Sequence, residues 1–130
     1  MEIQLSTKRN FELVDITEKV EEIVRRSNVP SGICIVYAPH ATAAIIINEF
    51  EPNLADDFER IFERLIPRGN YSHNSIDDNE EAHLKSALFG SGKSIPIENG
   101  KLVLGTWQRI IFCEFDGPRN RRINVSIAKG

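Results

Sequence analysis

The chain has 130 residues, of which 41% are hydrophobic and 27% are charged, and this size and balance predict one soluble globular domain, residues 1–130, with a real core. Its formal net charge of −3 gives no broad basic surface, so nucleic acid is not an expected partner. No apolar run approaches the roughly 20 residues that a membrane helix needs, and the polar N-terminus does not resemble a signal peptide, so we expect no membrane partner and a cytoplasmic location.

The N-terminal part of the chain predicts several strands and one short helix. Alternating or β-branched residues indicate the strands, and Val20, Ile23 and Val24 lie on one face of the helix. The expected elements are strands at 2–8, 11–16, 32–38 and 42–48 and a helix at 17–27. The strand at 32–38 is apolar on both faces, which indicates a second central strand.

The remainder of the chain begins with a helix predicted over 53–66. Its apolar residues recur at the spacing of one helix face, and they are Leu54, Phe58, Ile61, Phe62 and Leu65. A polar loop then leads to a third helix at about 79–89, followed by strands at 94–97, 102–104, 106–116 and 121–128. The order of elements contains no strand–helix–strand repeat. It predicts an α+β fold, a largely antiparallel β-sheet or sandwich-like core with two to three helices packed on one side.

The stretch from Gly105 to Arg122 combines a buried strand with a run of charges. Its apolar middle, Ile110–Cys113, predicts a central strand covered on both faces. The residues that follow are Glu114 and Asp116, a Gly117-Pro118 turn, and Arg119, Arg121 and Arg122. Acids followed by arginines at one sheet edge suit an anionic ligand, held directly or through a metal. The alternative is a solvated turn with surface ion pairs.

Two cysteines, Cys34 and Cys113, both fall inside predicted strands. No metal-ligand spacing relates them to each other. We therefore expect both to be buried, reduced thiols, which agrees with a protein of the cytosol, where thiols stay reduced.

The chain has three histidines, and none lies in the middle of a predicted core element. They are His40, at the end of a central strand, His73, in the loop between two helices, and His83, within the third helix. Three neutral imidazoles from separate elements often hold a catalytic zinc, with the fourth position left for water or substrate. The alternative is that His40 caps a strand end while the other two are surface residues. No HExxH or other standard local motif decides between these hypotheses.

Polar residues accompany each histidine. Asn48 and Glu49 follow the first, Asp77 follows the second, and Asn79 lies four residues before the third, on the same helix face. Carboxylates and amides next to a metal-binding imidazole can orient its ring.

Several blocks of the chain resemble the YjbQ-type family, whose members are often described as secondary thiamine-phosphate synthase enzymes. The blocks are SIPI at 94–97 followed by GKLVLGTWQRIIFCEFDGPRNRR at 100–122, PHATAA at 39–44 with NE at 48–49, and YSH at 71–73 through AHLK at 82–85. GTWQ followed by EFDGPR is a specific combination. The resemblance covers essentially the whole chain, in order and at family length.

The resemblance implies a compact, sandwich-like fold, a homotrimer, and a polar pocket where histidines converge, within one subunit or between subunits. It also implies a divalent metal, zinc, with magnesium suited to a diphosphate substrate, and room for a phosphate or sulfate. His40, His73 and His83 match the family's histidine positions and are the expected metal ligands. The chain departs from the family at Ala41, where a hydroxyl residue is common, and at Glu81, where many members carry a further histidine.

The same resemblance implies roles for the polar residues. Arg119 would hold a phosphate, and Glu49 would orient a ligand or act as a base. The residues expected near the cofactor are Asn48, Asp56, Asn79 and Glu114.

The activity that the resemblance implies is similar to that of thiamine-phosphate synthase, which joins a pyrimidine diphosphate to a thiazole phosphate and releases pyrophosphate. A divalent metal and an arginine can stabilise the departing negative charge. Two alternatives stay open. One is a metal-dependent phosphoester hydrolase that uses the same site, and the other is a trimeric, non-enzymatic binding module for a phosphorylated or anionic metabolite.

Overall fold

The computed structural model describes residues 1–69 and 79–130. Within these ranges the chain has an α+β fold, as predicted. The strands are β1 Glu2–Ser6, β2 Glu12–Asp15, β3 Ser31–Tyr37, β4 Ala43–Asn48, β5 Gly92–Glu98, β6 Lys101–Leu102, β7 Arg109–Glu114 and β8 Asn120–Lys129, and the helices are α1 Thr17–Ser27, α2 Pro52–Leu65 and α3 Glu80–Phe89. No helix in the described part of the chain is long and apolar enough to cross a membrane.

The described strands form two antiparallel sheets, which confirms the predicted antiparallel core. The larger sheet has the order β1-β8-β3-β5-β6, and the smaller has the order β2-β7-β4. β7 is therefore the middle strand of the smaller sheet, and Ile110–Cys113 are 0% exposed, so both faces of the strand are covered as predicted. Antiparallel pairing sets Ala43 of β4 opposite Glu114 of β7 and sets Asn48 opposite Arg109.

β3 occupies the middle of the larger sheet, as predicted, but only its inner face is covered by other described residues. Cys34 and Val36 are fully buried, whereas Ile33, Ile35 and Tyr37 are 49%, 41% and 46% exposed. The cause is the layer order, because the larger sheet packs one face against the smaller sheet and presents the other to solvent. Although β3 is apolar on both faces, only the face with Cys34 and Val36 lies in a hydrophobic core of the single chain.

The described hydrophobic side chains form two cores on opposite faces of the smaller sheet. The first core fills the space between the sheets, and Val20 and Val24 of α1 pack into it. The second core lies where α2 and α3 cover the outer face of the smaller sheet, with Phe11, Phe62 and Phe115 among its members. The smaller sheet is thus sandwiched between the larger sheet and these two helices, and α3 is held against the strand edge that carries the charged turn.

The apolar stripe of α2 is only partly buried. Phe62 is 5% exposed, while Ile61 and Leu65 are 44% and 59% exposed. Residues four apart lie on one line along a helix. The line through Phe58 and Phe62 faces the second core, whereas the line through Ile61 and Leu65 is exposed. The apolar stripe of α2 is therefore wider than the part of the helix that contacts this core.

The two cysteines are buried and unpaired, as predicted. Burial raises the pKa of Cys34 to about 11 and raises the pKa of Cys113 well above its ordinary value. Since the thiolate is the reactive form, we expect neither thiol of the native protein to react with Ellman's reagent at mildly alkaline pH, and both to react once denaturant is added. Rapid labelling of the native protein would contradict the burial of these two side chains.

Candidate functional site

A buried ion pair lies where β7 ends. The Glu114 side chain is fully buried, and Arg121 of β8 donates from Nε to its Oε1 at 2.8 Å and from Nη2 to its Oε2. The Thr7 hydroxyl also donates to Oε1 at 2.7 Å, and the Asp116 amide donates to Oε2 at 3.1 Å. Each carboxylate oxygen thus accepts from two described donors, which uses its usual capacity. These contacts give Glu114 a structural role, and its contact with a cofactor stays a prediction.

The burial of Arg121 is the main feature that the charge run did not predict. Arg121 is 6% exposed, and its Nη2 also donates to the Thr42 hydroxyl at 2.8 Å. One signal was present in the sequence. Arg121 lies two residues before Ile123 and four before Val125. Since alternate residues of a strand share a face, Arg121 points to the same buried side of β8 as these two residues.

The Gly117-Pro118 turn packs tightly against the connection between β1 and β2. A Cβ atom at Gly117 would lie 2.3 Å from the Arg9 carbonyl oxygen and 2.8 Å from Cγ of Glu114. The Gly117 amide donates to the Asn10 carbonyl at 3.1 Å, and the Arg119 amide donates to the Thr7 hydroxyl at 2.9 Å. A glycine is therefore required for this close approach, which positions the turn and the Glu114 carboxylate together.

A second polar cluster lies at the start of α3. Asn79 occupies the N-cap position, but its side chain makes no capping hydrogen bond and its Nδ2 instead donates to Oδ2 of Asp116 at 2.9 Å. Arg119 donates from Nη2 to the same oxygen at 2.8 Å. Asn79 is 7% exposed, and its Oδ1 is buried without a hydrogen-bond partner in the part of the chain that the structure describes. This oxygen is an acceptor available to a cation or to a donor group of a ligand.

His83 lies on α3 four residues after Asn79, so the two side chains share a helix face, and His83 is half-buried. Within residues 1–69 and 79–130, no three histidine, cysteine or carboxylate side chains lie close enough to hold a metal together. His73, the third expected ligand, and Asp77 lie outside the described residues. The three-histidine metal site therefore stays a prediction.

Glu81, at the position where many relatives carry a histidine, is also on α3. Its Oε2 is buried and has no hydrogen-bond partner in the described segments, and its Oε1 lies 3.8 Å from Nε of Arg68. The first turn of α3 therefore carries a second buried acceptor, two residues after Asn79, and residues two apart on a helix do not share a face.

His40 precedes β4 at the end of the smaller sheet where Glu114 lies, and it lines an open pocket of about 860 Å³ whose other walls come mainly from β1 and β8. Its Nε2 is 3.0 Å from the Arg122 carbonyl oxygen and 3.1 Å from the Arg122 amide nitrogen, so the backbone orients the ring in either tautomer and leaves Nδ1 for a ligand. Burial lowers the pKa of His40 and outweighs the hydrogen bond to Arg122, and the charges of Arg121 and Arg122 lower it further. The neutral imidazole, the form that binds metals, is thus favoured at neutral pH.

Asn48 and Glu49 lie at the opposite end of the smaller sheet from Glu114. At about 3.3 Å per residue, the length of β4 separates Asn48 from the Glu114 end by about 16 Å. The Glu49 amide donates to Oδ1 of Asn48 at 2.8 Å, and Asp56 is exposed on α2. One chain thus brings Asn79 and Arg119 together through Asp116, and does not bring Glu49 to them.

The comparisons with known proteins agree with the sequence resemblance. The family described as UPF0047 protein YjbQ-like matches residues 1–130. A UPF0047 protein of Archaeoglobus fulgidus is 48% identical over 126 residues, which cover 96% of this chain and 98% of that protein. The UPF0047 protein YugU of Bacillus subtilis is 41% identical over 126 residues, covering 96% of each chain.

Solved structures show the same fold. The crystal structure of a YbjQ-like protein of unknown function from Sulfolobus solfataricus has a TM-score of 0.98 and 44% identity, covering 100% of this chain and 96% of that chain. A hypothetical protein from Aeropyrum pernix has a TM-score of 0.97 and 40% identity, covering 100% of this chain and 98% of that chain. With a family match over its full length and relatives of this similarity, the chain belongs to the YjbQ-like UPF0047 family.

Proposed function

We propose that this protein is a metal-dependent enzyme that acts on a small phosphorylated or anionic substrate. The observation that carries the proposal is the buried Oδ1 of Asn79, which has no hydrogen-bond partner among residues 1–69 and 79–130 and lies beside Asp116 and Arg119. An unsatisfied buried acceptor costs about 1–3 kcal/mol. A divalent cation at the start of α3 would satisfy this oxygen, and it would also explain why the Asn79 side chain turns away from capping its helix.

The residue types at this cluster fit a metal. His83 supplies an imidazole, Asp116 a carboxylate and Asn79 an amide oxygen, and zinc accepts nitrogen and oxygen ligands of these kinds. In the proposal, His83 binds the metal and His40 and His73 are its other imidazole ligands. Magnesium would suit the oxygen atoms better if the substrate carries a diphosphate.

Arg119 provides the anion-binding part of the proposed site. Its side chain is 52% exposed, and its pairing with Asp116 at 2.8 Å orients the guanidinium. A guanidinium held in this way can bind a phosphate group in a bidentate manner. Asp116 therefore links the phosphate-binding arginine to Asn79, so that a substrate phosphate would lie next to the metal.

The reaction that we propose is a substitution similar to thiamine-phosphate synthesis, with pyrophosphate as the leaving group. The metal would stabilise the negative charge that develops on the leaving group, and Arg119 would hold the phosphate in place while the bond breaks. We also propose that the protein assembles as a homotrimer.

The metal content of the purified protein tests this proposal. We expect near-stoichiometric zinc by elemental analysis without added metal, and we expect His83→Ala and His40→Ala to lose most of it, because each removes a ligand. Leu84→Ala is the matched control, since Leu84 follows His83 on the same helix and is 38% exposed. A wild-type protein that holds no metal even after zinc is supplied would overturn the metal-dependent proposal.

The metal-loaded protein can then be given a pyrimidine diphosphate and a thiazole phosphate, with pyrophosphate release as the readout. Release that depends on Arg119 supports the synthase-like reaction. Release of inorganic phosphate from either substrate alone would favour a hydrolase. Tight binding without any release would favour the non-enzymatic binding module.

A further inference from the structure

The helix α3 buries charged side chains and exposes leucines, which is the reverse of the usual arrangement. Glu81 and Lys85 are 9% and 3% exposed, whereas Leu84 and Leu88 are 38% and 61% exposed. The apolar side of a surface helix normally faces the core, and lysine and glutamate are almost never fully buried unless they are paired. Departures from these rules are expected at functional sites, so the contacts of the buried charges were followed.

Lys85 is paired within the second hydrophobic core. Its Nζ donates to Oε1 of Glu63 on α2 at 3.1 Å, and it lies over the rings of Phe11 and Phe115, at 5.8 and 5.9 Å from their centroids. A carboxylate and two aromatic faces are groups that attract an ammonium ion. One side chain of α3 therefore contacts α2, the residue before β2 and the residue after β7.

These contacts lie next to the candidate site. Phe115 directly precedes Asp116, whose Oδ2 accepts from Nδ2 of Asn79 at 2.9 Å. Phe11 belongs to the connection between β1 and β2, against which the glycine–proline turn packs. The Lys85 ammonium is thus held between the two segments that form the charged end of the sheet, and Lys85 and Asn79 belong to the same helix region.

The exposed leucines offer α3 a second way to pack. Leu84 and Leu88 are four residues apart and form one line along the helix. At 3.6 residues per turn, this line lies roughly a quarter of a turn from Lys85. A rotation of α3 by that amount would bury two leucines in place of one lysine, which the hydrophobic effect alone favours. The same rotation would move Asn79 away from Asp116.

We propose that the ion pair between Lys85 and Glu63 selects the rotational position of α3 in which Asn79 meets Asp116. Hydrophobic contacts are non-directional, whereas an ion pair with one carboxylate defines a single position of the helix, and buried charges can be retained for such specificity. Lys85 is then a positioning residue that acts through Asn79. This inference deepens the proposed function and rests on it only for the metal that Asn79 would bind.

The side-chain amide of Asn79 reports this contact without metal or substrate. Its NMR resonance is the one missing from Asn79→Ala, and Asp116→Ala gives its position when the contact is lost. We expect Lys85→Ala to move the resonance most of the way to that position, because nothing then opposes the burial of the leucines. A resonance that stays at its wild-type position in Lys85→Ala would overturn the proposal.

Removing the leucines separates positioning from the filling of core space. We expect Leu84→Ala/Leu88→Ala to keep the wild-type resonance, and the triple variant with Lys85→Ala to recover it, because α3 then has no apolar side to turn inward. Circular dichroism on each variant establishes that it is folded. A triple variant whose resonance stays shifted would show that Lys85 only fills space, and the positioning role would be wrong.

Glu63→Ala gives the same test from the other partner, and it decides the matter if Lys85→Ala does not fold. The Glu63 side chain is 49% exposed, so its truncation leaves no cavity in the core but takes the carboxylate away from the ammonium. We expect the Asn79 resonance to shift in the same direction, and to return when Leu84 and Leu88 are also replaced by alanine. No shift in Glu63→Ala would contradict the role of the ion pair.

Metal binding links this inference to the proposed function. We expect Lys85→Ala to bind zinc at least about tenfold more weakly than Leu84→Ala/Leu88→Ala, a loss typical of groups that orient metal ligands. Equal zinc binding by these variants, together with a shifted Asn79 resonance, would show that Asn79 does not contact the metal. A wild type that binds no metal would overturn the proposed function, while the Asn79 resonance would still decide the role of Lys85.

Discussion

Replacing Arg121 with methionine is expected to lower the free energy of unfolding by about 3–5 kcal/mol, because the change leaves a buried carboxylate without its charged partner. Glu114 is 0% exposed, so water cannot take the place of the guanidinium without opening the core. The Thr42 hydroxyl also loses the Arg121 donor that it accepts from. Urea unfolding followed by circular dichroism, at one fixed protein concentration and neutral pH, measures the change.

Arg26→Met is the matched control for this prediction. Arg26 pairs with Glu22 at 2.9 Å, but its side chain is 70% exposed, and such surface pairs contribute only about 0–1 kcal/mol. The double variant Arg121→Met/Glu114→Gln removes both charges, and we expect it to be more stable than Arg121→Met alone. If Arg121→Met cost no more than Arg26→Met, the ion pair would not stabilise the end of β7.

The secondary structure of this protein was predictable because it depends on local patterns. The helix expected at 17–27 is α1 Thr17–Ser27, where apolar residues at helical spacing meet one core. The burial of Ile110–Cys113 followed in the same way, since four consecutive apolar residues need cover on both faces. Sheet pairing depends on contacts distant in sequence, and for that reason the exposed face of β3 was not predicted.

The types of residue in the candidate site could be predicted from the sequence, but their positions in space could not. Those positions depend on the direction in which each strand runs. Glu49 is near His40 in sequence, yet β4 carries the chain away from the His40 end of the sheet, so nearness in sequence becomes separation in space. The contact from Asn79 to Asp116 spans 37 residues and depends on how α3 packs against the sheet, which no local pattern contains.

Phe62 is the central side chain of the core that positions α3, and its replacement by alanine is expected to lower the free energy of unfolding by about 3–5 kcal/mol. Phe62 is 5% exposed. Its ring stacks on Phe89 with centroids 4.1 Å apart and meets Phe11 and Phe115 edge-on at 5.9 and 6.2 Å. Truncation removes all of these contacts at once and leaves a cavity between a sheet and two helices that cannot readily collapse into it. Urea unfolding under the conditions used for Arg121→Met measures the loss.

Leu65→Ala is the control, because Leu65 lies on the same helix and is 59% exposed, so its truncation is expected to cost less than about 1 kcal/mol. Phe89 belongs to α3 and Phe115 directly precedes Asp116, so the Phe62 ring helps to set the contact between Asn79 and Asp116. If the proposed metal site forms at the start of α3, we therefore expect Phe62→Ala, under conditions where it is still folded, to retain the metal less tightly than Leu65→Ala. If Phe62→Ala and Leu65→Ala lowered the free energy of unfolding equally, the loss would not depend on the buried Phe62 ring. The aromatic core would then not be what aligns α3 with the end of β7.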